Sequence, residues 1–168
     1  MSGGRAWVFG DDIDTDALAP GRYMRSSIAE LARHCLEAHN PRFAAEAAPG
    51  DIVVGGRNFG LGSSREQAAE ALRALGVAAV VAQSFAGIFY RNAFNLGLPA
   101  LVCAQAGRIA DGDSLSLDLT GGRLRNETSG ETLQFRPLPD LLLGLIEAGG
   151  LVPQLEKRFQ NLSTEKSA

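Results

Sequence analysis

Two serines and an arginine stand together in a glycine-rich stretch of the sequence, GGRNFGLGSSREQAAEAL, which covers residues 55–72. Gly60 and Gly62 allow the backbone to turn sharply and to approach a ligand closely. Helix-forming residues follow Arg65, and the start of a helix offers free N–H groups and a positive dipole end to an anion. Arg65 adds a planar charged fork that suits a carboxylate or a phosphate. Residues 57–65 are therefore predicted to form an anion pocket that contains a serine hydroxyl.

The same stretch allows a purely structural interpretation of one serine. Ser64 precedes Gln67 by three positions, which is the spacing of a capping box at a helix start. Known nucleotide and hydrolase motifs do not fit, because a phosphate-binding loop needs a lysine here and Arg65 occupies the third glycine position of a dinucleotide fingerprint. The Gly-x-Ser-x-Gly elbow of serine hydrolases is also missing from this stretch. Both a ligand pocket and a helix cap therefore remain open for Ser64.

A second polar stretch, DDIDTDALAPGRYMR, covers residues 11–25 and places four aspartates within six positions, followed by Pro20 and two arginines. Such a run is usually a solvated acidic turn. A calcium-binding loop would need a glycine and a distal glutamate at fixed spacing, and neither is in register. The stretch is therefore either a surface turn or one edge of a site.

The elements that must position these residues follow from the apolar pattern. Four short β-type runs are separated by segments whose apolar residues have helical spacing. The runs are AWVF near residue 7, DIVVGG at 51, AAVVAQ at 78 and ALVCA at 100. The predicted helices cover about 26–39, 64–76, 85–97 and 138–148, and the last three end at glycines. SLSLDL at 114 and TLQF at 132, with glycine turns between them, indicate a β-meander or hairpin. The pattern predicts one layered α/β domain over residues 1–168, with a frayed polar tail at 161–168.

Composition limits the possible partners. The chain has 168 residues, 45% of them apolar, and a net charge of −3, which gives no footprint for nucleic acid or for an anionic membrane. Its two cysteines, Cys35 and Cys103, and its two histidines, His34 and His39, do not form a recognisable metal-binding pattern. No targeting segment or run of about 20 apolar residues is visible, so a cytoplasmic location is expected.

Three stretches in order, DDIDTDALAPGRYMR, GDIVVGGRNFGLGSSREQAAEAL and AQSFAGIFYRNAFNLGLPAL, together resemble the small subunit of 3-isopropylmalate dehydratase. That family is equivalent to the swivelling domain of aconitase and homoaconitase, and the resemblance covers about residues 7–105. It implies an α/β swivelling β/β/α domain, with a layered sheet, flanking helices and a C-terminal β-hairpin region. It also implies a two-subunit hydro-lyase, a heterodimer or heterotetramer, whose large subunit carries a [4Fe–4S] cluster while this chain binds no cofactor.

The resemblance also implies roles for individual residues. Ser63 corresponds to the base, acting as an alkoxide, that removes a proton alpha to a carboxylate. Thr15 and Asp16 match a Thr-Asp pair at the edge of the active site, where the acid helps to handle the leaving hydroxyl. Ser64 and Arg65 would hold a substrate carboxylate. Arg25, in the loop GRYMRSS after Pro20, is a candidate for recognising the variable end of the substrate.

The substrate implied by the resemblance is 2-isopropylmalate, converted to 3-isopropylmalate by dehydration and rehydration in leucine biosynthesis. Leu61 and Gln67 depart from the commonest isopropylmalate pattern, in which a small residue and a histidine are frequent at these positions. Homoaconitate and 2,3-dimethylmalate are therefore kept as alternative substrates within the class of small 2-hydroxy di- and tricarboxylates. A different class of function, a non-catalytic anion-binding module, would bind its ligand without a partner.

Overall fold

The protein is described by a computed structural model that covers residues 2–167. One mixed sheet of seven strands forms its centre, in the order β4-β3-β2-β1-β5-β6-β7. β1 pairs in parallel with β2, β2 with β3 and β3 with β4, whereas β1, β5, β6 and β7 pair antiparallel. The first strand therefore lies in the middle of the sheet and joins a parallel half to an antiparallel half.

The elements follow the chain in a regular order. The strands are β1 (Ser2–Val8), β2 (Ile52–Val54), β3 (Ala79–Ala82), β4 (Ala100–Val102), β5 (Ser114–Asp118), β6 (Arg123–Asn126) and β7 (Thr132–Gln134). The α-helices are α1 (Thr15–Leu18), α2 (Ile28–Ala32), α3 (Phe43–Glu46), α4 (Gln67–Ala74), α5 (Gly87–Asn95), α6 (Asp140–Ala148) and α7 (Leu151–Ser167). Two short 3₁₀ helices cover Gly21–Tyr23 and Ala106–Arg108.

The sheet is covered on both faces, because successive side chains of a strand point to opposite sides. Val53 and Val80 belong to a core with the helices, and Trp7 and Phe43 pack edge to face within it. Their strand neighbours face a second core formed with the apolar residues of β5, β6 and β7. The backbone N–H of Arg136, just after β7, donates to the carbonyl of Val102 in β4 at 2.8 Å. The two ends of the sheet therefore approach each other, and the sheet is curled around the second core.

The structure confirms the layered α/β prediction and the four β-type runs of the parallel half. β5, β6 and β7 form the predicted meander. The predicted helix ends are also correct, since Gly76, Gly97 and Gly149 follow α4, α5 and α6 with positive φ angles of 82°, 74° and 86°. Glycine is the residue that adopts this left-handed conformation without a steric cost.

The helix predicted over residues 26–39 is wrong beyond its first turns. α2 ends at Ala32, and the chain continues as turns to residue 39. Leu36 adopts a positive φ of 59°, and its N–H donates to the carbonyl of Ala17 at 2.8 Å. A tertiary hydrogen bond to α1 thus replaces helical pairing, although the apolar residues of the segment are still buried as the spacing predicted.

The last helix, α7, was not predicted as an element. It runs through residues 161–167, where the sequence suggested a frayed polar tail. All side chains of this part are exposed. Fraying of the final turns therefore stays a prediction, because a helix end without tertiary contacts depends on its own weak propensity.

Asp51 is a buried acidic residue at the start of β2, and it is 7% exposed. Its carboxylate accepts hydrogen bonds from the backbone N–H of Arg5 at 3.1 Å, from Trp7 Nε1 at 2.9 Å and from the N–H of Ala48 at 3.0 Å. One side chain thus ties β1, β2 and the preceding loop together beneath the aromatic core.

Replacing Asp51 by alanine is expected to lower the free energy of unfolding by about 3 kcal/mol, because three buried hydrogen-bond donors lose their acceptor. Asp118→Ala is the control, since Asp118 is half-exposed and water can replace its lost contacts; we expect a much smaller loss of stability there. Urea unfolding of both variants measures the difference. Equal losses in the two variants would show that Asp51 does not hold the strands together.

Candidate active site

The loops that follow β1 and β2 meet at the carboxyl edge of the parallel half of the sheet. The N–H of Gly60 donates to the carbonyl of Ile13 at 2.7 Å, and the N–H of Thr15 donates to the carbonyl of Leu61 at 2.9 Å. β1 and β2 are neighbouring parallel strands, so the segments leaving them emerge side by side. The two unusual stretches of the sequence are thereby joined backbone to backbone.

Three of the four aspartates in the first loop shape the turn. Asp11 accepts the N–H of Arg57 at 2.7 Å, and Asp14 caps α1 by accepting the N–H of Ala17 at 2.7 Å. Asp12, in the left-handed conformation with φ of 58°, accepts from the side-chain amide of Asn58 at 3.0 Å. Asp11, Asp12 and Asp14 therefore hold the backbone of the loops in place, and Asp16 is the aspartate of this run that contacts Arg65, next to Ser63 and Ser64.

Gly60 and Gly62 both have positive φ, 84° and 115°. A Cβ at Gly60 would overlap the ring of Phe89, and a Cβ at Gly62 would stand 3.0 Å from the hydroxyl of Thr15. The sharp turn predicted from these glycines is confirmed. The close approach that they allow brings the backbone against Phe89 and Thr15 of the protein itself.

Ser63 lies between a buried hydroxyl and a guanidinium. Its Oγ is 3.1 Å from Oγ1 of Thr15, and Nε of Arg65 donates to it at 2.8 Å. Thr15 is 3% exposed, and its Oγ1 also accepts the backbone N–H of Ser63 at 3.2 Å, so two contacts join the same two residues. Ser63 itself is exposed, so a hydroxyl held by two neighbours faces the solvent.

The guanidinium of Arg65 is held in place by three acceptors. Besides Ser63, it donates from Nη1 to Asp16 Oδ1 at 3.1 Å and to the carbonyl of Ala19 at 2.9 Å. Asp16 is fixed in turn, because the same oxygen accepts the N–H of Gly21 at 3.0 Å. Nη2 donates to no acceptor within residues 2–167 and is available to a ligand.

The capping interpretation of Ser64 is wrong. α4 begins at Gln67, its N-cap is Glu66, and no side chain caps it. Ser64 is exposed, and only its carbonyl is engaged, by the amide of Asn92 at 3.3 Å. Within the described part of the chain, the backbone N–H groups of residues 64–67 donate to no acceptor. The start of α4 therefore offers free donors beside Arg65, as the anion-pocket prediction requires.

Asn58 and Asn92 fix these loops. Asn58 has a φ of 56°, and its N–H donates to the hydroxyl of Ser84 at 2.9 Å while its amide binds Asp12. Asn92 reaches across from α5 to Ser64. Both asparagines therefore act as structural links between neighbouring loops and helices.

Arg25 stands apart from this cluster. It is exposed in the turn after the first 3₁₀ helix, and its guanidinium makes no hydrogen bond or ion pair with residues 2–167. The structure thus brings together Thr15, Asp16, Ser63 and Arg65, with Ser64 adjacent, and leaves Arg25 on a neighbouring loop. The roles of all six residues stay predictions.

Sequence reasoning placed both histidines in an ordinary helix and missed the environment of His34. The ring of His34 stacks on that of Tyr23, with centroids 3.6 Å apart and planes 6° from parallel. Its Nδ1 is 2.7 Å from a carboxylate oxygen of Glu37, and its Nε2 is 3.4 Å from one of Glu30. The hydrogen bond to Glu37, assisted by Glu30, raises the pKa of His34 above its ordinary value. The signal was the spacing of Glu30, His34 and Glu37, which places both acids within reach of the ring in a helix or tight turns.

The residues of this chain do not fit an iron–sulphur cluster, which needs thiolates that converge on one point. Cys35 is buried in the core with the helices, and Cys103 is buried in the second core on the opposite face of the sheet. Burial raises the pKa of both thiols, which disfavours the thiolate form that binds metal. Among residues 2–167, no group of three or more potential ligands converges on a metal position.

Comparison with known proteins identifies the family. The family model for the aconitase C-terminal domain matches residues 37–106. A 3-isopropylmalate dehydratase small subunit from Methanopyrus kandleri is 51% identical over 92% of this chain and 92% of its own length. A methanogen homoaconitase small subunit from Methanothermobacter thermautotrophicus is also 51% identical, over 89% of this chain and 87% of its own.

The fold comparison agrees with the sequence comparison. A crystal structure of 3-isopropylmalate dehydratase from Methanocaldococcus jannaschii superposes with a TM-score of 0.93 at 42% identity, over 97% of this chain and 98% of that one. The predicted fold class is thereby confirmed. None of the helices within residues 2–167 combines the length and the apolar character needed to cross a membrane. The chain belongs to the 3-isopropylmalate dehydratase small-subunit family and carries a match to the aconitase C-terminal domain.

Proposed function

We propose that this chain is the small subunit of a hydro-lyase that converts 2-isopropylmalate to 3-isopropylmalate, and that Ser63 is its catalytic base. The observation that carries the proposal is the position of Ser63 Oγ, 2.8 Å from Arg65 Nε and 3.1 Å from the hydroxyl of Thr15. A neutral serine is a weak base, so its anion has to be stabilised before it can remove a proton from carbon. Two donors that already surround the oxygen provide that stabilisation.

Proton removal follows from this geometry. The alkoxide of Ser63 takes the proton from the substrate carbon alpha to a carboxylate and becomes a neutral hydroxyl. The electrons of the broken C–H bond form a carbon–carbon double bond as the C–O bond on the neighbouring carbon breaks and hydroxide leaves; rehydration reverses these steps. Thr15 can donate its proton to Ser63 while its own oxygen accepts the N–H of Ser63, so the alkoxide receives hydrogen bonds from both Thr15 and Arg65. Fixed donors aimed at developing charge are a large contribution to catalysis because they need no reorganisation during the reaction.

A substrate carboxylate would bind next to the base. Nη2 of Arg65, the hydroxyl of Ser64 and the N–H groups of residues 64–67 adjoin Ser63 in the sequence, and none of them donates to an acceptor within residues 2–167. The proposal assigns Ser64 and Arg65 to the carboxylate. Asp16 holds the guanidinium in this structure, and its role toward the leaving hydroxyl is part of the proposal.

The partner completes the site. Ser63 and Ser64 are exposed, so water has to be excluded from them by another surface before the anion can be stabilised strongly. We assign that surface to a large subunit, in a heterodimer or heterotetramer, and we assign the [4Fe–4S] cluster to the same subunit because the cysteines here do not fit one. A cytoplasmic location is part of this proposal.

A second substrate is favoured by one observation. Arg25 is an exposed guanidinium without a partner among residues 2–167, on the loop that begins at Gly21 beside Asp16. Homoaconitate carries a third carboxylate that such a group could bind, whereas the branched arm of isopropylmalate could pack only against its aliphatic stem. 2,3-Dimethylmalate remains a further candidate of the same class.

The substrate is tested by comparing kcat/KM for isopropylmalate, 2,3-dimethylmalate and homoaconitate in the complex with an iron-loaded large subunit. We expect the wild type to prefer isopropylmalate, and Arg25→Ala to shift the ratio between isopropylmalate and homoaconitate by about 10-fold or more, as a gained or lost charged contact does. Arg22→Ala is the matched control on the same exposed loop. Equal or better use of homoaconitate by the wild type would overturn the choice of isopropylmalate. An unchanged ratio in Arg25→Ala would remove Arg25 from the site.

The alternative of a non-catalytic anion-binding module makes a different prediction. Such a module would bind a dicarboxylate in the isolated chain, and the complex with a large subunit would not turn over any of the three substrates. Calorimetry on the isolated chain, together with the rates above, distinguishes the two functions.

A further inference from the structure

The stacked pair of His34 and Tyr23 lies outside the cluster around Ser63. Tyr23 closes the 3₁₀ helix Gly21–Tyr23, and its loop, Pro20–Ser26, carries Arg22 and Arg25 on its exposed side. Nearly parallel rings with centroids 3.6 Å apart share a full face. This is the closest ring pair among the aromatic contacts of the described residues, and it joins the loop to the turn that follows α2.

His34 is held firmly enough to serve as an anchor. Both ring nitrogens face carboxylates, from Glu37 at 2.7 Å and Glu30 at 3.4 Å, so the plane of the ring is fixed. The same two acids favour the protonated ring, and a cationic imidazole over the face of a phenol ring adds an electrostatic attraction to the contact. The neighbouring residues Cys35 and Leu36 are fully buried, so the anchor is attached to the core.

The loop is also fixed at its beginning. The N–H of Gly21 donates to Asp16, which pairs with Arg65, which in turn donates to Ser63. Tyr23 and Ser26 close the loop through backbone hydrogen bonds from Tyr23 to Pro20 at 3.0 Å and from Ser26 to Tyr23 at 2.9 Å. A loop held at Gly21 and at Tyr23 has little freedom to move Arg25, which follows two residues later.

We propose that His34 is a positioning residue for substrate selection: its ring, stacked on Tyr23, holds the loop Pro20–Ser26 in the conformation that presents Arg25 to the bound substrate. This inference rests on the proposed function for its consequence, because the loop matters for catalysis only if the substrate binds beside Ser63. Its structural part, the anchoring of the loop, is independent of that function. His34 does not touch the substrate or Ser63 in this account, and it acts through Tyr23 and Arg25.

The structural part is tested in the isolated chain by ¹⁵N relaxation of the amides of Arg22 and Arg25. We expect rigid order parameters near about 0.85 in the wild type and values below about 0.6 in His34→Ala. His34→Phe keeps a flat ring on Tyr23 and should keep the loop rigid. Tyr23→Leu removes the stack from the other side and should free the loop as His34→Ala does. Rigid amides in both His34→Ala and Tyr23→Leu would overturn the anchoring; if one of these variants fails to fold, the other decides.

The functional part is tested in the complex with the iron-loaded large subunit. His34→Ala should raise KM for the preferred substrate by about three- to tenfold and leave kcat within about twofold, because fewer molecules hold the loop in the binding conformation. His34→Phe should restore most of the loss, and Arg33→Ala, which removes an exposed neighbour that pairs with the same Glu30, should leave KM unchanged. A KM within twofold of the wild type in His34→Ala, or no recovery in His34→Phe, would overturn the positioning role.

The two failures are distinguishable. A wild-type complex without turnover on any of the three substrates would contradict the proposed function, while the relaxation experiment on the isolated chain would still decide whether His34 anchors the loop. A wild-type complex with normal turnover and an unaffected His34→Ala variant would contradict this inference alone.

Discussion

Replacing Ser63 by alanine is expected to lower kcat of the complex by at least about 10²–10⁴-fold, since the proposed base is removed. The loss in kcat should exceed any rise in KM. Arg65 is still held by Asp16 and by the carbonyl of Ala19, so the carboxylate-binding side of the turn should remain in place. The measurement is steady-state hydration in the complex, with the melting temperature of the isolated chain recorded beside it.

Two controls make the Ser63 result interpretable. Ser114→Ala removes an exposed serine at the start of β5, far from the turn in sequence, and should change neither rate nor stability. Ser64→Ala removes the neighbouring hydroxyl, which makes no hydrogen bond within the described chain, and should mainly raise KM. Ser63→Ala with near wild-type kcat would remove Ser63 as the base, and a large fall in its melting temperature would instead indicate a structural role for the hydroxyl.

Arg65→Lys is expected to lower kcat by about 10²–10³-fold although the charge is kept, which is the loss typical of removing one donor from a developing anion. A lysine ammonium is a single point donor. It cannot reach Ser63, Asp16 and the carbonyl of Ala19 together while leaving a nitrogen for a substrate carboxylate, as the guanidinium does. Arginine and lysine are therefore not interchangeable at this position.

The matched control for Arg65→Lys is Arg57→Lys in the same loop, where the side chain is exposed and makes no hydrogen bond within the described residues. We expect no change in kcat or KM there. The folding of both variants is compared by circular dichroism. If Arg65→Lys kept kcat within about threefold of the wild type, a positive charge alone would be sufficient at this position. The several donors of the planar guanidinium would then not be required.

The elements of the fold were predictable where local chemistry determines them. Glycines with positive φ end α4, α5 and α6, and runs of β-branched residues form β2 and β3, so periodicity and stop signals found these elements. The helix predicted over residues 26–39 failed because Leu36 takes a left-handed conformation to bond Ala17, a contact that lies far along the chain. The central position of β1, between β2 and β5, is likewise a property of tertiary pairing.

The sequence identified which residues form the candidate site better than it predicted the hydrogen bonds between them. Resemblance selected Ser63, Thr15, Asp16 and Arg65. The structure links these four in a row of hydrogen bonds, from Thr15 to Ser63, to Arg65 and to Asp16, although the two loops are distant in sequence. Local reasoning on Ser64 favoured neither a cap nor a ligand, and the cap is wrong because α4 starts three residues later.

His34 went unnoticed because its importance depends on Tyr23. The stacking of these two rings is a tertiary contact, and no periodic pattern in the sequence encodes it. The two acids beside His34 were visible, but their spacing is also common on an ordinary solvated helix. The ring of His34 has a partner only because the folded loop Pro20–Ser26 places Tyr23 against it.

The central claim is that this chain completes an active site with a partner that holds the metal cluster. The most direct test is a titration: iron-loaded large subunit at fixed concentration, increasing amounts of the iron-free wild-type chain, and the rate of isopropylmalate isomerisation at each ratio. The account predicts no turnover by either subunit alone and a rate that rises with added chain until it saturates at a fixed ratio. Turnover by the iron-free chain alone, or a large-subunit rate that does not change when the chain is added, would contradict it.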